Sequence, residues 1–350
     1  MIESLYLKVY VGIVVSHNKS DVIIEMVKGS QSVKNSSKSF LTTEVNDEML
    51  EYINLAISES PFFYIALLNS SKHQGAIPTC STKKADAYTD ISTSKTLCYK
   101  KRWMLYASKP DLDSYQKRYK SFGLDFIFSP YILLDRFFTD KIDGAMALYV
   151  LVQEDLLSLA IFQNNELLFA SHFDVEESVE EALISEDEKE TISLDFNIEG
   201  EGIDEGIHLD DIDAIDELDD LDSLDNFDDI EDLDSIDDIE EFAEVEEVAK
   251  PTEANLDELE SEETEVSMLE SFNEDYQRFT LIQRSLQQFY ADTTIDNAFI
   301  EHVYIADAIG VSEDLKRYLE EELFLSVVIR EMNRSKELLE LAKEEAHYAS

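Results

Sequence analysis

Basic residues are scarce in this chain. Its 28 Lys and Arg stand against 78 Asp and Glu, a formal charge of −50 over 350 residues. A nucleic-acid backbone is gripped by clustered Lys and Arg, so this balance excludes nucleic acid as a partner. Cysteine is scarcer still. Cys80 and Cys98 are the only two; they follow no metal or redox spacing, which fits a reducing compartment. Long apolar runs are missing, with nothing near the eighteen or so residues of a membrane span. The opening "MIESLYLKVYVGIVVS" has Glu3 where a signal peptide carries bases, and Lys8 inside its apolar run. These absences predict a cytoplasmic protein without direct membrane insertion, reaching the inner membrane only through a partner.

Signatures of chemistry are missing too. The six histidines, His17, His73, His172, His208, His302 and His347, form no local metal pair. No Gly-x-Ser-x-Gly nucleophile motif occurs. His172 stands two residues before Asp174, too little by itself to make a general base. The polar "SSKHQG", Ser70 to Gly75, reads as a solvated turn.

What is present is one extreme tract in an otherwise ordinary chain. Residues 174–270 hold 43 acids and two bases, Lys189 and Lys250, whereas the other 253 residues hold 35 acids and 26 bases. Within the tract, fourteen positions at a step of three, from Leu209 to Val248, are aliphatic or Phe. A helix turns 100° per residue, so a step of three winds the apolar stripe around the axis and offers no single face to a core. Crowded carboxylates repel one another as well. The tract reads as a largely disordered acidic insertion, a tether spanning roughly 50–60 Å as a flexible coil. Its repeat core lacks the Gly of a calcium-binding bend, which argues against a calcium site. A short acidic-apolar motif that folds onto a basic partner is the sharper alternative.

On either side, strands and helices alternate. Residues 5–15 and 21–28 read as a hairpin, followed by a Ser/Lys/Asn-rich stretch without an assigned element. "VNDEMLEYINLAIS" is helical by spacing, and "PFFYIALLN" is a buried strand. The region 70–100 resists assignment. "RWMLYAS" is a strand, "PDLDSYQKRYKSFG" a helix that stops at Gly123, "LDFIFSP" a strand and "YILLDRFF" a short helix. Three strands follow to residue 173, with a tight turn at Asn164 and Asn165. Beyond the tract come the helix "YQRFTLIQRSLQQFY", the strand "IEHVYIAD", a helix capped by Ser312, the strand "SVVIRE" and a charged terminal helix. The pattern is α/β with a large insertion. Trp103 with Tyr99 and Tyr106 packs a small core or, alternatively, lines a partner groove. Lys100, Lys101, Arg102, Lys117, Arg118 and Lys120 flank it, as a solvated face or as a receiver for acidic chain.

Several of these segments together resemble the actin-like proteins of pilus and secretion assembly platforms, the PilM family and the cytoplasmic domain of GspL. "IQRSLQQFY…IEHVYIADAIGVSEDLKRYLEEELFLSVVI" is similar to the closing helix, strand, turn, helix and strand of that family. "WMLYASKPDLDSYQKRYKSFGLDFIFSPYILLDRFF" is similar to its small inserted subdomain, and "LVQEDLLSLAIFQNNELLFAS" to the hairpin that opens its second domain. The resemblance implies an actin-like, ribonuclease H-like two-domain fold. Residues 1–70 and 131–143 would form the first domain, 71–130 the inserted subdomain, 144–173 and 271–350 the second domain, and 174–270 the acidic insertion.

The same resemblance implies a nucleotide site, which the residues contradict. Actin-like ATPases bring two Asp-x-Gly loops to the phosphates, Gly for close backbone approach and Asp for metal and water. Here Val14 stands at the first acid and Ser16 at its Gly, while Val152 stands at the second acid and Glu154 at its Gly. The adenosine loop is "IADAIG", Asp307 to Gly310 within it. A pseudo-ATPase without cofactor follows, with no catalytic residue and no metal. The family implies as partners the cytoplasmic N-terminal peptide of a bitopic inner-membrane protein and an assembly ATPase, with a ring-like homo-oligomer possible. Lys101, Arg102, Trp103, Lys117, Arg118 and Lys120 are the candidate partner surface. The reading is a non-enzymatic scaffold of a type IV pilus, type II secretion, competence or flagellum-associated platform. Its rivals are an active PilM-type ATPase using ATP and Mg, and an acidic regulator acting through residues 174–270.

Overall fold

Residues Leu7–Val15 form a strand, β1, whose sequence "LKVYVGIVV" is apolar almost without alternation. Such a run is buried on both faces, as in a sheet with helices on either side. The computed structural model, which describes residues 6–175, 256–292 and 298–349, places β1 at the centre of a five-stranded sheet. Its neighbours are β2 (Ser20–Lys28) and β3 (Gln31–Phe40) on one side, β4 (Phe62–Leu68) and β8 (Phe126–Phe128) on the other. The first three run antiparallel, while β4 and β8 run parallel to β1. A second sheet repeats this order with β9 (Ala147–Val152) at its centre. It has β10 (Leu156–Gln163) and β11 (Glu166–Asp174) antiparallel on one side, and β12 (His302–Asp307) and β13 (Ser326–Glu331) parallel on the other. A third sheet is small, β5 (Gln74–Ile77), β7 (Trp103–Ser108) and β6 (Ser94–Tyr99).

Helices separate the layers: α1 (Asp47–Ile57), α2 (Thr82–Ala85), α3 (Lys109–Arg118), α4 (Pro130–Phe137), α5 (Leu256–Ala291), α6 (Glu313–Glu321) and α7 (Arg334–Ala349). The outer face of the first sheet packs Val9, Val11 and Ile13 against Met49 and Ile53 of α1 and Tyr115 of α3. The outer face of the second packs Leu148, Val150 and Ile305 against Phe279, Ile282 and Phe289 of α5 and Leu315 of α6. Between the sheets lies a core shared by Tyr10, Val14 and Leu68, Tyr131 and Leu134 of α4, Tyr149 and Phe162, and Leu338, Leu339 and Ala342 of α7. Two sheets of the same ribonuclease H-like order, with helices between and outside them, make an actin-like fold. Gly12 has a physical reason within it: a Cβ there would meet Leu339 at 3.3 Å and Ile23 at 3.1 Å, so its absence lets α7 lie close on β1.

The strand β3, "QSVKNSSKSF", is the element the sequence pattern concealed. It is exposed almost throughout and held by backbone pairing to β2, so no buried face imposes an alternation. Region 70–100 contains β5, α2 and β6. There Cys80 and Cys98 meet with Cα atoms 5.2 Å apart and form a disulfide. Spacing along the chain did not reveal this pair, which the small sheet brings together.

Residues Met1–Asp187 with Val266–Ser350 group into one compact unit, which holds the three sheets. The expected insertion over 174–270, with its repeat from Leu209 to Val248, lies for residues 176–255 outside the described residues. Helix α5 begins at Leu256, well before the "YQRFTLIQRSLQQFY" stretch that signalled it. Among the described residues no helix is long and apolar enough to cross a membrane.

Candidate functional site

Two equivalent hairpin turns face each other where the sheets meet. The turn between β1 and β2 is closed by the Ser16 amide donating to the Lys19 carbonyl (2.9 Å). The turn between β9 and β10 is closed in the same way from Gln153 to Leu156 (3.0 Å). Lys19 reaches across and its Nζ lies 2.8 Å from Glu154 Oε1. His17 lies 3.5 Å from Asp155 on the same pair of turns. At the start of α7, the buried Arg334 donates to Gln153 Oε1 (3.4 Å) and to Ser16 Oγ (3.2 Å), so one guanidinium holds both turns.

The electrostatics follow from this arrangement. Burial pushes the Glu154 carboxyl up, but hydrogen bonds from Lys19 and Ser16 more than offset it and hold the group below the ordinary carboxylate range. The Glu154 hydrogen bond holds the Lys19 ammonium above its ordinary value against a smaller effect of burial. Burial pushes Arg334 down. A cleft of about 760 Å³ opens above these turns, with Lys72, Arg118 and Arg334 among its walls, but also Asp111, Glu154 and Asp174. A neighbouring hollow of about 500 Å³ is lined by Glu154, Asp155, Glu274, Arg278 and Gly310.

The loop after β12 uses its own donors. Asp307 Oδ1 accepts from the amides of Ile309 (3.0 Å) and Gly310 (2.8 Å), and Oδ2 accepts from Val311 (3.0 Å). Gly310 has φ +84, a left-handed turn, and a Cβ there would meet nothing within 4 Å; backbone conformation, not close approach, calls for glycine. One residue further, Ser312 donates its amide (2.9 Å) and hydroxyl (2.6 Å) to Asp275 Oδ2 of α5, and Asp275 Oδ1 accepts from Arg278 (3.0 Å). Backbone amides that elsewhere serve as an anion cradle are here bound to carboxylates of the chain itself.

The structure thus brings Ser16 and Glu154 together and sets Asp307 and Gly310 at the same end of the second sheet. Val14 and Val152 are buried core residues, on β1 and β9. The basic and aromatic candidates do not form one surface. Trp103 is 1 % exposed and packs edge-on against Tyr99 (4.9 Å) and Phe162 (6.0 Å), which corrects its place on a partner surface: the small sheet turns that ring inward. Lys101 and Arg102 belong to the β6–β7 turn, where Arg102 donates to the Asn165 carbonyl (3.2 Å). Lys117, Arg118 and Lys120 belong to the far end of α3, where Arg118 is paired with Glu44 (2.9 Å). Lys19, Gln153, Asp275, Arg278 and Arg334 escaped the sequence reading. Their partners are mostly far away in the chain, 135 residues for Lys19 and 318 for Arg334 with Ser16. The one available signal was charge at the tips of two similar hairpins, "SHNKS" and "QED".

A domain of unknown function, DUF8341, matches residues 148–347, more than half of the chain. The chain belongs to this family. A second domain of unknown function, DUF8569, matches residues 6–135 of this DUF8341 protein, so the two matches divide near the boundary between the sheets. No curated protein matches it. Among solved structures it is similar to the PilM-PilN type IV pilus biogenesis complex, at 11% identity and a TM-score of 0.47, over 96% of this chain and 95% of that one. It is also similar to a Bacteroides thetaiotaomicron protein with actin-like ATPase fold and unknown function, at 16% identity and a TM-score of 0.34, over 54% and 79%. A third is the activator of the 2-hydroxyisocaproyl-CoA dehydratase from Clostridium difficile with bound ADPNP, at 9% identity and a TM-score of 0.38, over 98% of each chain.

His172 of the DUF8341 chain is held on both ring nitrogens by groups of the chain itself. Its Nδ1 lies 2.9 Å from the Ser158 hydroxyl and its Nε2 lies 3.2 Å from the Ser71 carbonyl, so Nε2–H donates and Nδ1 accepts. Ser158 is fully buried, and Asp174 is instead 3.0 Å from Lys72. Burial pushes the imidazole down to about 4, against a smaller opposing pull from the Ser71 carbonyl and Asp174. A folded value below the unfolded one near 6.5 means that the unfolded chain takes up the proton first on acidification. Stability from this site is therefore full above about pH 6.5 and falls as pH approaches 4, by roughly 3 kcal/mol in all. In urea titrations the His172→Gln variant should lose less stability than the parent between these two values. Parallel pH profiles for the two proteins would refute the assignment.

Proposed function

We propose that this DUF8341 protein is a non-enzymatic scaffold that keeps the actin-like frame and has given up its nucleotide. The observation carrying this reading is the Lys19–Glu154 ion pair, which fills with protein charge the gap between the two turns. Phosphates placed there would have to displace Lys19 from Glu154 and then face Glu154 and Asp155. The resemblance of residues 275–330 to the closing segment of pilus and secretion assembly proteins supports a station at a membrane-bound assembly machine. The partner that fits is the short cytoplasmic peptide of a bitopic membrane protein.

Nucleotide decides between this and the ATPase reading. A ligand that binds only the native state at a hundred times its Kd adds about 2.7 kcal/mol. With millimolar ATP and magnesium, the melting temperature should stay unchanged and phosphate release should stay at background. A rise of several degrees would show that nucleotide binds and overturn the proposal, and turnover abolished by a cleft substitution such as Arg334→Met would establish an ATPase.

A further inference from the structure

The end of the second sheet away from the cleft carries exposed aromatic rings. Strand β12 ends near the cleft at Asp307 and begins at His302, which pairs with Ser326, the first residue of β13. The Ser326 amide donates to the Glu301 carbonyl (2.8 Å), so the segments leading into the two strands also lie side by side. They present Phe299, 63 % exposed, and Phe324, 81 % exposed. The Ile300 amide donates to the Tyr290 hydroxyl (3.0 Å), which sets a third partly exposed ring beside them.

Three local features here are unfavourable in the isolated chain. Large rings face water, which adjacent apolar residues ordinarily avoid. Phe324 has φ +56, the left-handed conformation in which a helix terminator is usually Gly, so its side chain carries a steric penalty glycine would not. Glu320 and Glu321 close α6, with no base in its last turn, where the helix dipole favours cations. Glu322 and Glu301 extend this acidic rim, and all four are exposed. None of the four forms an ion pair among the described residues.

One occupant covers the rings and answers the acidic rim, and its contact with the ring is a reason for Phe rather than Gly at position 324. We infer that this face docks a basic amphipathic segment of another protein, its apolar side chains against Phe299 and Phe324 and its Lys or Arg against the glutamates. A second copy of the chain is the poorer fit, because two chains of charge −50 repel and the patch offers no bases to answer the rim. The site lies at the opposite end of β12 from the nucleotide-type cleft, so the inference stands whether or not the scaffold reading does.

A fluorescent amphipathic peptide of leucine and lysine, titrated into the full chain at physiological salt, tests this. The acidic remainder of the chain attracts any cation, so the comparison is with Phe299→Ser/Phe324→Gly, which leaves every charge in place. The double variant should bind at least about ten-fold more weakly. Equal affinity, or no binding by the parent, would overturn the inference, as would concentration-dependent self-association of the parent that the variant loses. Phe324→Gly alone, which should not lower the melting temperature, keeps the comparison if the double variant fails to fold.

Discussion

Asp275→Ala should destabilise the protein by about 3–5 kcal/mol, the cost of leaving a buried charge without its partner. The Asp275 and Arg278 side chains are 1 % and 3 % exposed, and their contact is 3.0 Å. Alanine would strand the guanidinium, whose other carboxylate contact is the exposed Glu274 at 2.8 Å. It would also release the Ser312 amide and hydroxyl, the anchor that ties the loop after β12 to α5. Amides around that loop should then exchange faster with solvent than those of β12 itself. Adding Arg278→Met to Asp275→Ala should recover part of the loss, since an apolar pair leaves no stranded charge. Denaturant titration of the single and double variants measures both effects. A loss under about 1 kcal/mol for Asp275→Ala would show that water or Glu274 compensates and that the anchor is dispensable.

Trp103→Ala should cost a similar amount, about 3–5 kcal/mol, by a different route. Trp103 is among the largest fully buried side chains and joins the core of the small sheet to Phe162 of the second large sheet. Its removal deletes apolar contact and leaves a cavity that neighbouring rings fill only in part. In a body of this size the melting temperature should fall by roughly 10 °C. Trp103→Phe, which keeps a ring, should lose less than half as much. If instead Trp103→Ala melts like the parent while partner binding is lost, the ring belongs to an interface after all.

The contrast between two turns shows why one part of this chain was readable and another was not. The β10–β11 turn uses Asn164 and Asn165, both at positive φ, and Asn tolerates that conformation well enough to mark a hairpin in the sequence. The β6–β7 turn, one residue longer, also sets two successive residues at positive φ, but these are Lys100 and Lys101, which announce nothing. Beside it, β6 is exposed along most of its length and β3 nearly throughout, so neither strand carries the alternation by which β2 declares itself. Capped helices were legible for the opposite reason. Asn46 accepts from the Met49 amide and Ser312 from the Asp314 amide, local contacts that the sequence spells out within four residues.

The candidate site was half legible. Resemblance led to Ser16, Glu154, Asp307 and Gly310 because those positions lie in segments with recognisable neighbours. It could not supply Lys19, Arg334 or Asp275, because an ion pair depends on two side chains meeting, and nothing in either local segment encodes the other. The disulfide between Cys80 and Cys98 belongs with these, since the small sheet supplies the proximity.

By itself the sequence determined the α/β alternation, the central strands, the capped helices and the segregation of acid into one stretch. Each of these rests on residues near one another in the chain. Only the tertiary structure decided that the two central turns are bolted together by Lys19, Glu154 and Arg334, that Trp103 faces inward, and that Phe299 and Phe324 are left exposed on neighbouring segments. Those outcomes depend on which distant surfaces meet, and that is settled by the packing of two sheets around α4 and α7.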